Sequence, residues 1–256
     1  KSLDKIEFVG LSNFIRAFSS NPVHGDPLVG KALYNTFYFA IFSVPLNLAL
    51  SLGLALLLNQ KIRGITIFRT TFYLPSIVAG VATVILWMYI FNPINGPLNA
   101  FLRWLNYILD KSVIFAFIDL PVPQWLSDPA WAKPAMIIMR LWGAGGGGIL
   151  IFLAGLQAIP HSLFEASNME GATGWENFWK ITFPMVSPLI LVNMVYSIID
   201  SFADMNNPVI ARIMDSAFKQ MDFGYSAAMN WIYFVIISAM LGLVAMLISR
   251  RVFYYE

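Results

Sequence analysis

The chain has 256 residues, of which 58% are hydrophobic and only 12% charged, with a formal net charge of +2 and no cysteine. Soluble domains carry about 25% charged residues, so this composition excludes an ordinary soluble enzyme, a disordered tail and a disulfide scaffold. Thiol catalysis and zinc–thiolate sites go with the missing cysteines, and so small a positive charge gives no nucleic-acid partner.

What remains is an all-α membrane protein that crosses the bilayer several times. A barrel would show short alternating segments instead. Residues 1–31 read as an extracytoplasmic segment, 32–251 as a transmembrane domain and 252–256 as a cytoplasmic tail. About 30 Å of hydrocarbon needs roughly 20 helical residues. Five stretches offer such spans, at about 32–58, 71–91, 135–157, 187–202 (a little short) and 227–249. Pro45 and Pro75 fall within or near the start of spans, where membrane helices tolerate a kink.

Lys and Arg near short loops set orientation. Lys61, Arg63 and Arg69 lie between the first two spans, and Arg250 and Arg251 follow the last. Both places are expected to be cytoplasmic. Segments 92–134 and 203–226 then lie outside, although they carry Lys111, Lys133, Arg212 and Lys219 mixed with Asp. The visible N-terminus also falls outside, without a signal-peptide pattern. A preceding span, and so at least six in the natural protein, is the expectation.

The loop at 158–184 is too organised for a linker. Ser162 with Glu165, and Thr173 with Glu176, both have the spacing of a capping box, in which each side chain satisfies the other residue's backbone N–H. Gly171 between them suits a positive φ that ends a helix. Pro184 is expected to stop what precedes it. Two short helices with a tight turn follow, one with an apolar stripe of Leu163, Phe164, Ala166 and Met169, the other with Trp175, Phe178 and Trp179. A hairpin resting on lipid headgroups would use the same pattern.

The spacing is more specific than that. Glu165-Ala166-Ser167, Gly171 six residues after the Glu, then Ile181, Phe183 and Pro184 resemble the EAA loop of permease subunits in bacterial ABC importers. Ser167 replaces the second Ala, Phe183 replaces Leu, and Glu170 stands where the sugar-importer branch has Asp. The likeness covers roughly the whole chain and is closest to carbohydrate importers of the maltose-permease type. It takes in Phe8–Phe14, Asn35-Thr36, Phe91-Asn92-Pro93 with Gly96 and Asn99, Ala154–Pro160 and Phe223–Ala228. The family's first span has no counterpart. The turn Asp204-Met205-Asn206-Asn207-Pro208 departs from the family's Thr/Gly/Gly/Pro-containing turn, with only Pro208 retained.

The resemblance implies a type I importer permease fold with the first helix absent. It implies a coupling role for Glu165, Ala166, Ser167, Glu170, Gly171, Ala172 and Pro184, docked on a separate ATPase. Implied partners are a second permease, two ATPase subunits, an extracytoplasmic solute-binding protein and a sugar. ATP-Mg would sit on the ATPase, with no cofactor on this chain, because no Gly-x-x-x-x-Gly-Lys-[Ser/Thr] loop is present.

Polar groups in a span face a cavity or protein. Arg140, Trp142, Asn193, Tyr196, Ser197 and Asp200 are the candidates for a substrate path, since sugars need hydrogen-bonding groups and an aromatic face. Asn193, Ser197, Asp200 and Asp204 recur at helical spacing. Arg140 near an outer end also suits snorkelling to headgroups. The glycines around Gly143–Gly148 suit a broken helix or close helix packing. An ion-coupled carrier using Asp200, Asp204 and Arg140 is the first rival, but no internal repeat supports it. A membrane enzyme is the second, and His24 and His161 lie in loops on opposite sides. The reading is an inner-membrane permease of a sugar importer, not an enzyme.

Overall fold

A computed structural model describes residues 8–19, 28–60, 63–78, 80–110, 120–204 and 207–249, without the side chains of 28–29 and 144–146. Lys61, Lys111, Arg250, Arg251, His24, Met205 and Asn206 therefore lie outside the described residues, as does the 252–256 tail. The described residues contain helices and no strand. They form two compact units, Lys1–Leu48 with Ala154–Glu256, and Ala49–Leu153.

In the first unit α1 (Ser12–Phe18) packs against α11 (Phe223–Ser249). Arg16 donates to Asp222 at 2.7 Å, and its guanidinium lies 4.0 Å from the Tyr225 ring centre. A turn at Leu28–Ala32 leads into α2 (Leu33–Leu58), which passes Pro45 without ending. Both α2 and α11 are apolar on every side, the pattern of a helix in lipid. The helix α9 (Phe183–Ala203) packs on α11, and the Tyr233 hydroxyl donates to the Phe202 carbonyl at 2.8 Å.

Asn207 organises the end of this unit. As N-cap of α10 (Pro208–Met214) it accepts from Val209 N–H at 2.9 Å and from the Thr36 hydroxyl at 3.0 Å, and donates to the Ser201 carbonyl at 3.1 Å. Asn207, in the altered turn, is thus a buried junction of α2, α9 and α10. A wide turn at Asp215–Lys219 continues α10, and Ser226 donates to the Ile213 carbonyl at 3.1 Å.

The second unit begins within α2. Arg69 donates to the Leu58 carbonyl at 3.0 Å, satisfying one of the open acceptors at the end of α2. The second expected span is two helices, α3 (Ile65–Ile77) and α4 (Gly80–Ile90), bent by 103° at their break. Val78 is extended there. The following turn needs Gly96, because a Cβ would meet the carbonyl oxygens of Asn92 and Ile90. Asn92 accepts from the backbone N–H groups of Ile94 and Asn95.

Segment 92–134 is not all loop among its described residues. It carries α5 (Pro97–Asp110), held by the fully buried Asn99. Asn99 donates to the carbonyls of Pro93 and Pro123 and accepts from the Trp125 indole N–H at 2.7 Å. Trp87, Phe91, Trp125 and Ala135 form the core around it. The third expected span lies within α6 (Pro129–Ala158), 30 residues long and bent by 49° between Gly143 and Gly147. Among the described helices, three are long and apolar enough to cross a membrane, or five if each bent pair is one span.

Candidate functional site

The loop after α6 folds as a helical hairpin. Its first helix, α7 (His161–Met169), is capped at Pro160 without any side-chain hydrogen bond. The Ser162–Glu165 capping box is therefore not formed. With the extended Pro160 (ψ 129°) as N-cap the helix starts two residues earlier than a Ser162 cap would allow, which places Ser162 inside the first turn.

The other end of α7 is as expected. Gly171 has φ +81°, its N–H bonds the Asn168 carbonyl at 3.1 Å, and the Ala172 N–H bonds the Ser167 carbonyl at 3.0 Å. These two bonds define a Schellman turn, which needs the left-handed residue that glycine supplies. A Cβ at Gly171 would meet nothing, so backbone conformation, not space, demands the glycine. Thr173 then caps α8 (Gly174–Asn177) with the expected box. Glu176 N–H donates to the Thr173 hydroxyl, and the Glu176 carboxylate accepts from Thr173 N–H at 2.9 Å.

Ser167 is the departure from the Glu-Ala-Ala pattern, and it joins the two helices. Its hydroxyl donates to Asn177 Oδ1 at 2.6 Å, and Asn177 Nδ2 donates to Asn168 Oδ1 at 3.1 Å. This bond fixes which face of α7 turns inward. Leu163, Phe164 and Ser167 are half-buried. Glu165, Ala166, Met169 (91% exposed) and Glu170 point outward with Gly171, while Ala172 is half-buried. The apolar stripe expected on α7 is thus split, with Ala166 and Met169 on the open side. Neither Glu165 nor Glu170 makes an ion pair among the described residues, so the outward face is small, apolar and acidic.

Pro184 does not stop the second helix. α8, a wide turn at Phe178–Thr182 and α9 form one helical run, Gly174–Ala203. In the wide turn Phe183 N–H bonds the Phe178 carbonyl, five residues back. A π-type turn of this kind absorbs local irregularity in the ladder, and Pro184 follows at the start of α9, where its missing N–H is tolerated. The hairpin is thereby joined to the expected fourth span with no break. Along this junction Trp179 packs edge to face with Trp175 and Phe178, and Phe183 lies tilted against it.

Gly155, near the end of α6, secures the other side of the loop. A Cβ there would overlap the Leu189 side chain, so α6 and α9 meet through the bare backbone.

The polar candidates in the spans divide between the units. Asn193, Tyr196, Ser197 and Asp200 lie on α9 in the first unit, Arg140 and Trp142 on α6 in the second. Asn193 is only 4% exposed, and its amide nitrogen has no acceptor among the described residues. Ser197 accepts from Asn47 of α2 at 3.3 Å. Tyr196 and Asp200 are exposed. The Trp142 ring lies edge-on to Trp87 at 6.0 Å and packs on the aromatic core, and Arg140 is half-buried.

Comparison with known proteins agrees with this architecture. The family model described as "Binding-protein-dependent transport system inner membrane component" matches residues 37–254. A probable ABC transporter permease protein, YesP, of Bacillus subtilis (strain 168) is 32% identical over 97% of this chain and 79% of its own length. The sn-glycerol-3-phosphate transport system permease protein UgpA of Agrobacterium fabrum is 30% identical, covering 96% and 83%. The lactose transport system permease protein LacF of Rhizobium radiobacter is 34% identical over 76% of this chain and 59% of its own. A crystal structure of a bacterial ABC transporter involved in the import of alginate shares the fold. Its TM-score is 0.77 at 19% identity, over 95% of this chain and 84% of that one.

Proposed function

Because the chain belongs to the family of binding-protein-dependent transport system inner membrane components, we propose that it forms one half of a solute path and is driven from outside the bilayer through the 158–184 hairpin. It is a permease subunit of an ABC importer, not an enzyme. In the proposed assembly a second permease completes the path, two ATPase subunits bind the hairpins, and an extracytoplasmic solute-binding protein delivers the cargo. ATP-Mg would be held by the ATPases. The names of the relatives, which handle sn-glycerol-3-phosphate and lactose, support a sugar or a polyol derivative.

One observation carries the coupling role: the hairpin is tied together by its own hydrogen bonds, presents Glu165, Ala166, Glu170 and Gly171 outward and is continuous with α9. Glu165, Ala166, Glu170 and Gly171 would contact the ATPase, with Ala172 at the edge of that contact. Ser167 holds the two helices together, and Pro184 lies where the hairpin joins the span. Motion of the ATPases would then pass into α9 as a whole. The hairpin would lie on the cytoplasmic side, with the chain's visible N-terminal part outside.

For the solute path, Asn193 and Ser197 are the strongest candidates, because a buried amide without an acceptor costs roughly 1–3 kcal/mol. Asp200 and Tyr196 would extend this face. Arg140 and Trp142, on α6, are proposed as path residues in their own right, with Trp142 also serving the aromatic core.

The test is Gly171→Trp in the intact transporter. Loss of ATPase co-purification, and of ATP-driven sugar uptake into proteoliposomes without an ion gradient, is expected. Undiminished ATPase binding would overturn the docking role. Uptake that needs an ion gradient and ignores ATP would favour the secondary-carrier reading.

A further inference from the structure

The residues of α5 sort by angle around its axis, at about 100° each. Leu98, Leu102, Leu105 and Leu109 share one edge, and Phe101, Trp104 and Ile108 the edge beside it. Asn99, Arg103, Asn106 and Asp110 fall on the opposite arc. An amphipathic helix on the surface of a soluble domain buries its apolar stripe and gives its polar arc to water. The helix α5 departs from that on both sides.

Only the leucine edge is taken up by protein. It is half-buried, with Leu98 and Leu102 against the core of Trp87, Phe91, Trp125 and Ala135. On the polar arc the two asparagines turn inward to backbone. Asn106 accepts from the Leu120 N–H at 2.9 Å and donates to the Leu120 carbonyl at 2.8 Å, as Asn99 donates to the carbonyls of Pro93 and Pro123. Arg103 donates to the Ile94 carbonyl at 2.9 Å and stays exposed, like Asp110. The remaining edge is apolar and open. Phe101 is 53% and Trp104 55% exposed, with ring centres 5.7 Å apart, and Ile108 is exposed one turn on.

Three surroundings therefore meet on one helix: protein at the leucines, water at Arg103 and Asp110, and an apolar medium at Phe101, Trp104 and Ile108. The exposed apolar surface continues along the chain from α4, where Val84, Ile85 and Met88 are open, through the exposed Ile94 of the turn. Because α4 belongs to a bent pair long and apolar enough to span, the bilayer that receives it is at hand for α5. Aromatic residues favour the membrane–water boundary, and the two charges keep the helix out of the hydrocarbon centre.

We propose that α5 is an interfacial helix whose partner is the lipid surface, with Phe101, Trp104 and Ile108 seated in the boundary between headgroups and acyl chains. The bilayer thereby holds the turn between α4 and α5 at a fixed depth. This role is independent of the hairpin, of the ATPase and of the solute.

The experiment uses the complete transporter in phosphatidylcholine nanodiscs. This chain has no cysteine, so with cysteine-free partner subunits a single spin label can be placed by Phe101→Cys, Trp104→Cys or Arg103→Cys. At 101 and 104 oxygen is expected to collide with the label about fivefold more often than a water-soluble nickel complex does; at 103 the nickel complex is expected to prevail, as at a boundary. A second arm needs no substitution. The wild type is irradiated with a phosphatidylcholine bearing a diazirine high on its acyl chain, and adducts are mapped by mass spectrometry. They are expected on Phe101, Trp104 or Ile108. Nickel access at 101 and 104 as high as at 103 would place the edge in water and overturn the proposal. Exclusion of both reagents from 101 and 104 would show a protein covering the edge, and oxygen prevailing at 103 would show a helix within the hydrocarbon; each overturns it too, as does a wild type without adducts in 97–110.

Discussion

The two ends of the first unit are held together by opposite means. At the hairpin, Ser167 and Asn177 are ten residues apart, Asn168 and Asn177 nine, and Thr173 and Glu176 three. At the remote end Arg16 reaches Asp222 across 206 positions, and Thr36 reaches Asn207 across 171. Local bonds form whatever the spans do around them. Long-range bonds exist only while α1, α2, α9, α10 and α11 stay in register. The hairpin is thus suited to being moved as a piece, and the remote end to keeping the spans assembled.

That contrast is most severely tested at Asn207. Asn207→Leu removes three hydrogen bonds and strands the Thr36 hydroxyl, the Ser201 carbonyl and the Val209 N–H. With a stranded buried group costing roughly 1–3 kcal/mol, a loss of about 3 kcal/mol is expected. The thermal midpoint in detergent should fall by about 6–12 °C, while hydrogen exchange within 161–177 stays at its wild-type rate. Faster exchange in the hairpin would show that the two ends are not independent.

A smaller effect is expected from Gly171→Ala, which places a Cβ in a left-handed backbone at a cost of about 1–2 kcal/mol. The Gly171 and Ala172 amides donate the two Schellman bonds, so the Ala172 amide and that of the new residue should exchange about tenfold faster. The remote end should not respond. An unchanged rate would mean that the turn is held by something other than its own backbone.

The smallest change is Thr173→Ala. Loss of an N-cap side chain costs about 1 kcal/mol, so amides at 174–177 should exchange roughly fivefold faster. Thr173→Ser keeps the hydroxyl and should behave as wild type. If both variants exchange alike, the capping hydroxyl contributes nothing and the clamp at Ser167 alone holds the hairpin.

The same contrast explains what was legible in the sequence. Gly171 and the Thr173–Glu176 box are local devices, and their spacing alone announces them. The Ser162–Glu165 pair has the same spacing, yet it forms no box, because Pro160 had already begun the helix. Pro184 reads as a stop, but the wide turn before it lets the helix pass. Asn207 looked like a departure from a family turn; its role depends on Thr36, which no local pattern connects to it. Ser167 in place of Ala reads as a mild change, and only the nearness of Asn177 shows its use. The helix α5 was hidden because its polar residues, Asn99 above all, bond inward to the backbone instead of facing water. The apolar stretches themselves were plain, but the 103° bend between α3 and α4 was not.

The wide turn at Phe178–Thr182 has a last consequence, which concerns phase. Each residue of an α-helix advances about 100° around its axis, and a π-type turn holds roughly one residue more than an α-turn. The turn therefore offsets the angular position of Trp175 and Glu176 from that of Asn193 and Ser197 on the same continuous helix. Bonded as plain α-helix, this stretch would leave the hairpin facing about a quarter of a revolution away from its present heading. The direction in which the hairpin points relative to the polar face of α9 is thus set by the five residues of the turn between them.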